Sequence, residues 1–196
     1  MKRAVPRNRY GVFLFIAAAV STADLASKHW IFAANWMFPE RGLDGRVWWL
    51  WENVFGFQRS LNLGALFGLG QGYWPLFAVL SVMAAVAIFV WLFGLGAGRD
   101  WLLTIALALV TAGILGNLYD RLALHGLGPD GLPASHGAHA VRDFLVMFQV
   151  GQWHWPNYNL ADSALVSGVI LLVWQALFAK HESEGQAADR ETASPK

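Results

Sequence analysis

Four long apolar runs decide what this chain can become. They cover roughly residues 11–33, 74–95, 101–119 and 160–179. A run of about 18 or more apolar residues is long enough to cross a hydrocarbon layer of about 30 Å as a helix. Composition points the same way. Hydrophobic residues are 56% of the chain, charged residues only 14%, and mean hydropathy is +0.41, whereas a soluble domain carries about 25% charged residues. The expected fold class is therefore an all-α integral membrane protein with four transmembrane helices in a single domain, 1–180. The mixed-charge stretch 181–196, HESEGQAADRETASPK, reads as a disordered tail.

The first run follows a basic start, with Lys2, Arg3, Arg7 and Arg9. A cleavable signal begins in the same way. Here the apolar pattern continues through Leu25 and Ala26 to Trp30–Phe32, which favours an uncleaved first span. The basic start places the N-terminus in the cytoplasm. Four spans then put both termini inside and leave segments 35–72 and 122–159 outside. Arg99 and Asp100 are so short a connection that spans two and three must be antiparallel neighbours. Arg46–Phe57 (RVWWLWENVFGF) fits short strands at headgroup depth, where indole rings prefer to lie. Leu61–Gly70 reads as a short interfacial helix or a glycine-permitted turn.

The polar residues of the spans converge on one depth. Asp24 is thirteen residues beyond Gly11, about 20 Å up the first span. Asn117 and Asp120 fall at the outer end of the third, and Asp162 at the outer start of the fourth. Charges inside spans are costly and usually functional. Asp24 and Lys28, at i and i+4, can pair on one helix face. Asn117, Asp120 and Arg121 share another face, so Asp120 is expected to join a polar network with Arg121 or Lys28. Arg121 can alternatively meet a lipid phosphate or a backbone carbonyl.

Asp143 and Asp162 then stand without a local cation on their own face. Arg142 adjoins Asp143, but neighbours in an extended segment point to opposite sides. Asp162 lies three residues after Asn159, a capping position, and capping alone would account for it. As a pair, two carboxylates that cannot both ionise easily provide one acid and one base. Such a pair can activate water and protonate a leaving amine, with the proton mainly on Asp143 because the helix N-terminus favours an ionised Asp162. Other chemistries lack their residues. There is no cysteine and no GxSxG, HExxH or Walker sequence; His136 and His139 in a Gly-rich loop are weak metal ligands; and a net charge of +1 does not suggest a nucleic-acid partner.

Five blocks carry a resemblance to a known family: Asp24-Leu-Ala-Ser-Lys28, Asn62-Leu-Gly-Ala-Leu-Phe-Gly68, Gly116-Asn-Leu-Tyr-Asp-Arg121, Val141-Arg-Asp-Phe144 and Asn159-Leu-Ala-Asp-Ser163. In this order they resemble the lipoprotein signal peptidases, or signal peptidase II. The resemblance implies a multi-pass aspartyl peptidase of the bacterial inner membrane, needing no cofactor or metal. It would remove the signal peptide from diacylglyceryl-modified prolipoproteins, cutting just before the lipidated cysteine at the outer leaflet. Asp143 and Asp162 would be the catalytic pair. Asp24, Lys28, Asn62, Gly64, Asn117, Asp120, Arg121, Asn159 and Ala161 would shape the pocket and hold substrate. The Trp-rich segment would form a small extracytoplasmic β-cradle and the Asn62 region a lid-like interfacial helix. Membrane phospholipid and globomycin-type inhibitors are further implied partners. Two departures stand out: a long 122–140 loop, and Leu63 and Leu66 in the Asn62 block. The alternative is a small transporter or ion pathway using the Asp/Asn/Arg cluster, although transporters usually show paired repeats and none is visible here.

Overall fold

A computed structural model describes residues 4–64, 70–151 and 153–192. Helices α1 (Arg7–Ala33), α2 (Trp74–Phe89), α3 (Trp101–Arg121) and α4 (Leu160–Thr192) carry the four apolar runs, and the helical stretches Arg7–Ala33, Trp74–Gly94, Trp101–Arg121 and Leu160–Phe178 are each long and apolar enough to cross a membrane. Strands β1 (Trp48–Trp51), β2 (Phe55–Asn62) and β3 (Val141–Met147) form an antiparallel sheet in that order, and β4 (Gln149–Val150) pairs with β5 (Trp153–His154).

The chain begins its helices where local chemistry favours it. Pro75 lies in the first turn of α2, where its missing N–H costs nothing. Asp100 caps α3 by accepting from the Leu103 N–H at 2.9 Å, which satisfies one of the donors that a helix start leaves open. The second span is less regular than its hydropathy suggests. It passes into a π-helical turn at Val90–Gly94, and Gly96 then adopts φ +87° to end it. Left-handed backbone of this kind is cheap only for glycine. The fourth helix runs past the apolar stretch through residues 181–192, where the sequence suggested a disordered tail. Seven of those twelve residues are Ala, Glu, Gln or Arg, good helix formers, and the backbone continues the helix already begun.

Helix α3 is the centre of the bundle. Half of its span is buried, against 11–17% for the other three, and it packs against α1, α2 and α4. Its inward face is made of small residues, including Ala108, Ala112, Gly113 and Gly116. Within lipid, helices associate by close backbone approach rather than by expelling water, and small side chains allow it. A Cβ on Gly113 would run into the Ala161 carbonyl oxygen, and one on Gly116 would come within 2.5 Å of Asp24 Oδ2. Apolar side chains such as Phe15, Val79, Leu80 and Ile170 face outward, as a lipid solvent requires.

The sheet seats itself on one end of the bundle. Ile31 of α1 and Ala34, Met37 and Phe38 just after it pack against Phe144 and Leu145 of β3, with Trp48, Phe55, Phe57 and Leu160 around them. Register pairs Ser60 with Asp143 and Asn62 with Val141, so the end of β2 delivers Asn62 beside β3. The long connection between α3 and β3 is irregular, as its composition indicates. It is pinned by a Leu127–Pro133 bridge, by the Leu43 N–H donating to the Asp130 carbonyl at 3.0 Å, and by His139 stacked 3.5 Å from Trp74. The interfacial helix expected over Leu61–Gly70 falls largely on residues 65–69, outside the described residues; Leu61 and Asn62 belong to β2.

The close α3–α4 contact gives a direct test. Gly113→Ala should lower stability by about 1–3 kcal/mol, the range for forcing a methyl group into filled space, read as a lower unfolding midpoint in detergent. A substitution of equal size on the outward face, Ile170→Val, should leave the midpoint almost unchanged.

Candidate active site

The site grows from one buried ammonium group. Lys28 has no exposed surface, and its Nζ lies 2.7 Å from Asp24 Oδ2, 3.1 Å from Asp120 Oδ2 and 3.0 Å from Asn117 Oδ1. An ammonium out of water is tolerated only when its three donors are matched in this way. The i, i+4 spacing of Asp24 and Lys28 thus produces the pair it suggested. Asp120, however, pairs with Lys28 and Arg142 rather than with Arg121. Its Oδ1 receives Arg142 Nε at 3.0 Å and Nη2 at 2.8 Å, and its Oδ2 receives the Arg142 backbone N–H at 3.0 Å. Asp24 Oδ1 accepts the Ala161 N–H at 2.9 Å. One cluster therefore ties α1, α3, β3 and α4 together.

Arg142 was missed as a member because its own helix-free segment offers no partner. The signal was nonetheless present in the alternation of a strand: if Asp143 faces one way, Arg142 faces the other, towards the end of α3. The strand delivers both. Arg142 enters the ion cluster, and Asp143 turns to the opposite side, where Oδ1 receives Asn159 Nδ2 at 2.7 Å and Oδ2 receives Asn62 Nδ2 at 3.1 Å. Asn62 is in turn fixed through its Oδ1, which accepts the Gly64 N–H at 3.0 Å.

Asp162 reaches the same place from the first turn of α4. Its N–H donates to Asn159 Oδ1 at 2.9 Å, while its Oδ2 accepts the Asn159 N–H at 3.2 Å. This reciprocal pair is the capping arrangement expected from the spacing, but capping occupies only one carboxylate oxygen. The other, Oδ1, accepts Asn117 Nδ2 at 2.7 Å. Asn117 and Asn159 also touch each other at 3.1 Å, so two side-chain amides connect Asp143, Asp162 and Lys28. Both carboxylates line one cleft of about 1200 Å³, with Asn62, Asn117, Arg121 and, deeper along the helices, Ile114, Leu165 and Val166. Arg121 stands at the edge of this cleft with its guanidinium 5.5 Å from the Phe77 ring. His139 Nδ1 faces the Arg121 carbonyl at 2.9 Å, and His136 lies against Ser135.

Electrostatics separate the two aspartates. Asp143 is only 2% exposed, and burial, followed by the nearby Asp162 charge, pushes its carboxyl up from 3.8 to about 7. The donors Asn62 and Asn159 and the more distant Lys28 offset part of that rise. Asp143 therefore keeps a proton to a higher pH than an ordinary carboxyl does. Asp162 is half-buried in the first turn of α4.

A polytopic membrane protein with two neighbouring aspartates at one end of its bundle, facing one largely apolar cleft, is the class that this fold and site define. The family follows from comparison. The chain belongs to the signal peptidase II family, whose model, described as Signal peptidase (SPase) II, matches residues 16–178. A lipoprotein signal peptidase of Rhodopirellula baltica is 44% identical over 190 residues, 96% of this chain and 81% of that protein. One from Pseudomonas aeruginosa is 35% identical over 184 residues, covering 90% and 95%. The fold is similar to two solved structures described as bacterial membrane enzymes. Their TM-scores are 0.69 and 0.67 at 22% and 24% identity; the first comparison covers 100% of this chain and 98% of that one, the second 90% and 97%.

Two outcomes follow for stability. Asp120→Ala leaves Lys28 and Arg142 short of a counter-charge in a dry place, and should cost about 3–5 kcal/mol by thermal unfolding. Asp143 behaves oppositely. Its folded value lies above its unfolded value, so between about pH 4 and pH 7 the folded chain keeps a proton that the unfolded chain has released. Its contribution to stability is present below that window and declines as pH rises through it. Asp143→Asn should remove that decline and should not lower the midpoint at pH 8.

Proposed function

We propose that the chain is a membrane aspartic endopeptidase that removes the signal peptide from diacylglyceryl-modified prolipoproteins, cutting just before the lipidated cysteine. The observation that carries this reading is the unequal setting of the pair: a buried Asp143 with its carboxyl pushed up to about 7 and a half-buried Asp162 at a helix start, facing one cleft and joined through Asn117 and Asn159. Family membership supplies the reaction class, and the relatives named lipoprotein signal peptidase supply the substrate class.

In the proposed reaction, the Asp162 carboxylate takes a proton from water. The resulting hydroxide equivalent adds to the scissile carbonyl carbon, and Asp143 gives its proton to the substrate. As the tetrahedral species collapses, Asp162 passes its proton to the amine nitrogen, the C–N bond breaks, and a hydroxyl of the former gem-diol returns its proton to Asp143, so that one proton again resides on the pair. Asn62 and Asn159 hold the Asp143 carboxyl plane, and Asn117 holds Asp162. Arg121, at the cleft edge, is placed to meet the carbonyl oxygens or the phosphate-rich surface around substrate. The acyl chains stay in hydrocarbon against Leu165 and Val166, so the substrate enters sideways from the bilayer.

The same reading orients the molecule. The basic start and the end of α4 lie in the cytoplasm, and the site lies at the outer leaflet of a bacterial inner membrane. Strands β1–β3 serve as an extracytoplasmic cradle, and a globomycin-type cyclic peptide is the expected inhibitor.

The deciding experiment is cleavage of a diacylglyceryl-modified prolipoprotein by detergent-purified protein. Asp143→Asn and Asp162→Asn should each reduce turnover by about 10²- to 10⁴-fold, the usual worth of a general acid or base, while remaining folded. Near-normal turnover by either variant sinks the pair. The pH profile gives an independent check. kcat/KM should fall above about pH 7, by about tenfold per unit, as the pair loses its proton. A profile flat to pH 9 would leave Asp143 without an acid role.

A further inference from the structure

A second cavity lies on the side of the ion cluster away from the cleft. It has a volume of about 460 Å³ and is enclosed by the end of α1, the 126–133 part of the long loop and β2. That volume is within the range of small-molecule sites, about 300–1,000 Å³. Its polar wall consists of His29, Asn35, Arg41, Arg59, His125 and Arg142, and no acidic side chain lines it.

The charge of this wall is unbalanced. Arg142 is already matched by Asp120 at 2.8 Å. His125 is a neutral wall residue: its Nδ1 accepts the Leu127 N–H at 2.9 Å, which leaves the hydrogen on Nε2, 3.2 Å from the Ala140 carbonyl. The surplus rests on Arg59 and Arg41. Arg59 is only 5% exposed. It donates to the Ile31 carbonyl at 3.2 Å and to Asn35 Oδ1 at 3.4 Å, and lies 4.8 Å over the Phe38 ring. Among the described residues no carboxylate comes within ion-pair distance of it. Asp44, the acid that attracts it, accepts the Arg46 N–H through Oδ1 at 3.0 Å, and its buried Oδ2, 3.9 Å from Arg46 Nε, reaches Arg59 only through space. Burial pulls the Arg59 guanidinium below the usual arginine range, as expected of a cation whose hydration has been removed without full replacement. Arg41 is exposed at the rim and has no ion pair among the described residues.

We infer that this cavity binds a phosphoryl anion between Arg59 and Arg41, with His29 and Asn35 as further donors. A guanidinium fork matches phosphate oxygens two at a time, and an anion would complete a buried charge that protein groups leave unmatched. The cavity sits at the membrane-span end of α1, so the phosphate can belong to an anionic lipid headgroup or be free in solution. Either way it would bridge α1, β2 and the loop docked on Leu43. That bridge lies behind Arg142, the residue preceding Asp143.

The test uses the whole detergent-purified chain and follows its unfolding midpoint during three titrations. These are inorganic phosphate, short-chain phosphatidylglycerol and short-chain phosphatidylcholine, with chloride at matched ionic strength as the reference. A saturable rise with both phosphate and phosphatidylglycerol, above chloride and phosphatidylcholine, supports the site and shows that it admits a free anion. A rise with phosphatidylglycerol alone supports the site and assigns the phosphate to lipid. Arg41→Gln, a rim change that leaves Arg59 and its backbone contacts in place, should weaken the half-saturating concentration about tenfold, the loss of one charge-assisted contact. Arg59→Lys, which keeps the charge but loses the fork, should weaken it as well. The inference is overturned if no anion exceeds chloride, if phosphatidylcholine matches phosphatidylglycerol, or if Arg41→Gln titrates like the unchanged protein.

Discussion

Everything at the functional end of this molecule depends on hiding the Lys28 ammonium from both water and lipid. Its neighbours Asp24 and Asp120 carry two negative charges, and Lys28 and Arg142 carry two positive ones, so the cluster sums to zero. Neutrality alone would not suffice, because a desolvated ion also needs its hydrogen bonds. These come from four different elements: Lys28 and Asp24 on α1, Asn117 and Asp120 on α3, Arg142 on β3 and the Ala161 N–H on α4. Removing water from one lysine thereby fixes the relative positions of three helices and a strand.

The aspartates Asp143 and Asp162 inherit their geometry from that cluster. Arg142 is held on one face of β3, so the pleat turns Asp143 to the other face. Asp24 holds the first turn of α4 through Ala161, one residue before Asp162. Neither aspartate of the pair touches Lys28 directly; the amides of Asn117 and Asn159 intervene. Amides are suited to that position. They donate to carboxylates without adding a positive charge that would draw the proton off Asp143. Its high proton affinity thus survives at the edge of an ion cluster that holds two cations.

Much of this was legible in the sequence, because hydropathy and spacing are local signals. The four runs became four helices. Asp24 and Lys28 paired at i, i+4, and Asn159 and Asp162 formed a reciprocal cap. The pleat argument correctly separated Arg142 from Asp143. What stayed hidden was non-local. Nothing near Asp120 in sequence indicates that its partner is Arg142, since loop residues 122–140 intervene and Arg121 adjoins it. Arg59 gave no signal either, because a lone arginine among Trp and Phe reads as a surface residue until β2 folds it beneath the end of α1. The continuation of α4 through residues 181–192 reflects a different limit. Polar composition suggested disorder, while the same residues are good helix formers attached to an existing helix, where no new nucleus has to be made.

Helix α2 is the least enclosed of the four, with 11% of its span buried and α3 as its main support. It contributes Ser81 to the cleft and no member to the ion cluster. A wall held mainly on one side opens at lower cost than the core it leans on. The structure therefore has a compliant jaw and a rigid anvil. The wall of the cleft and the cluster behind Asp143 and Asp162 are thus built on different helices, the one braced from a single side and the other tied from four elements.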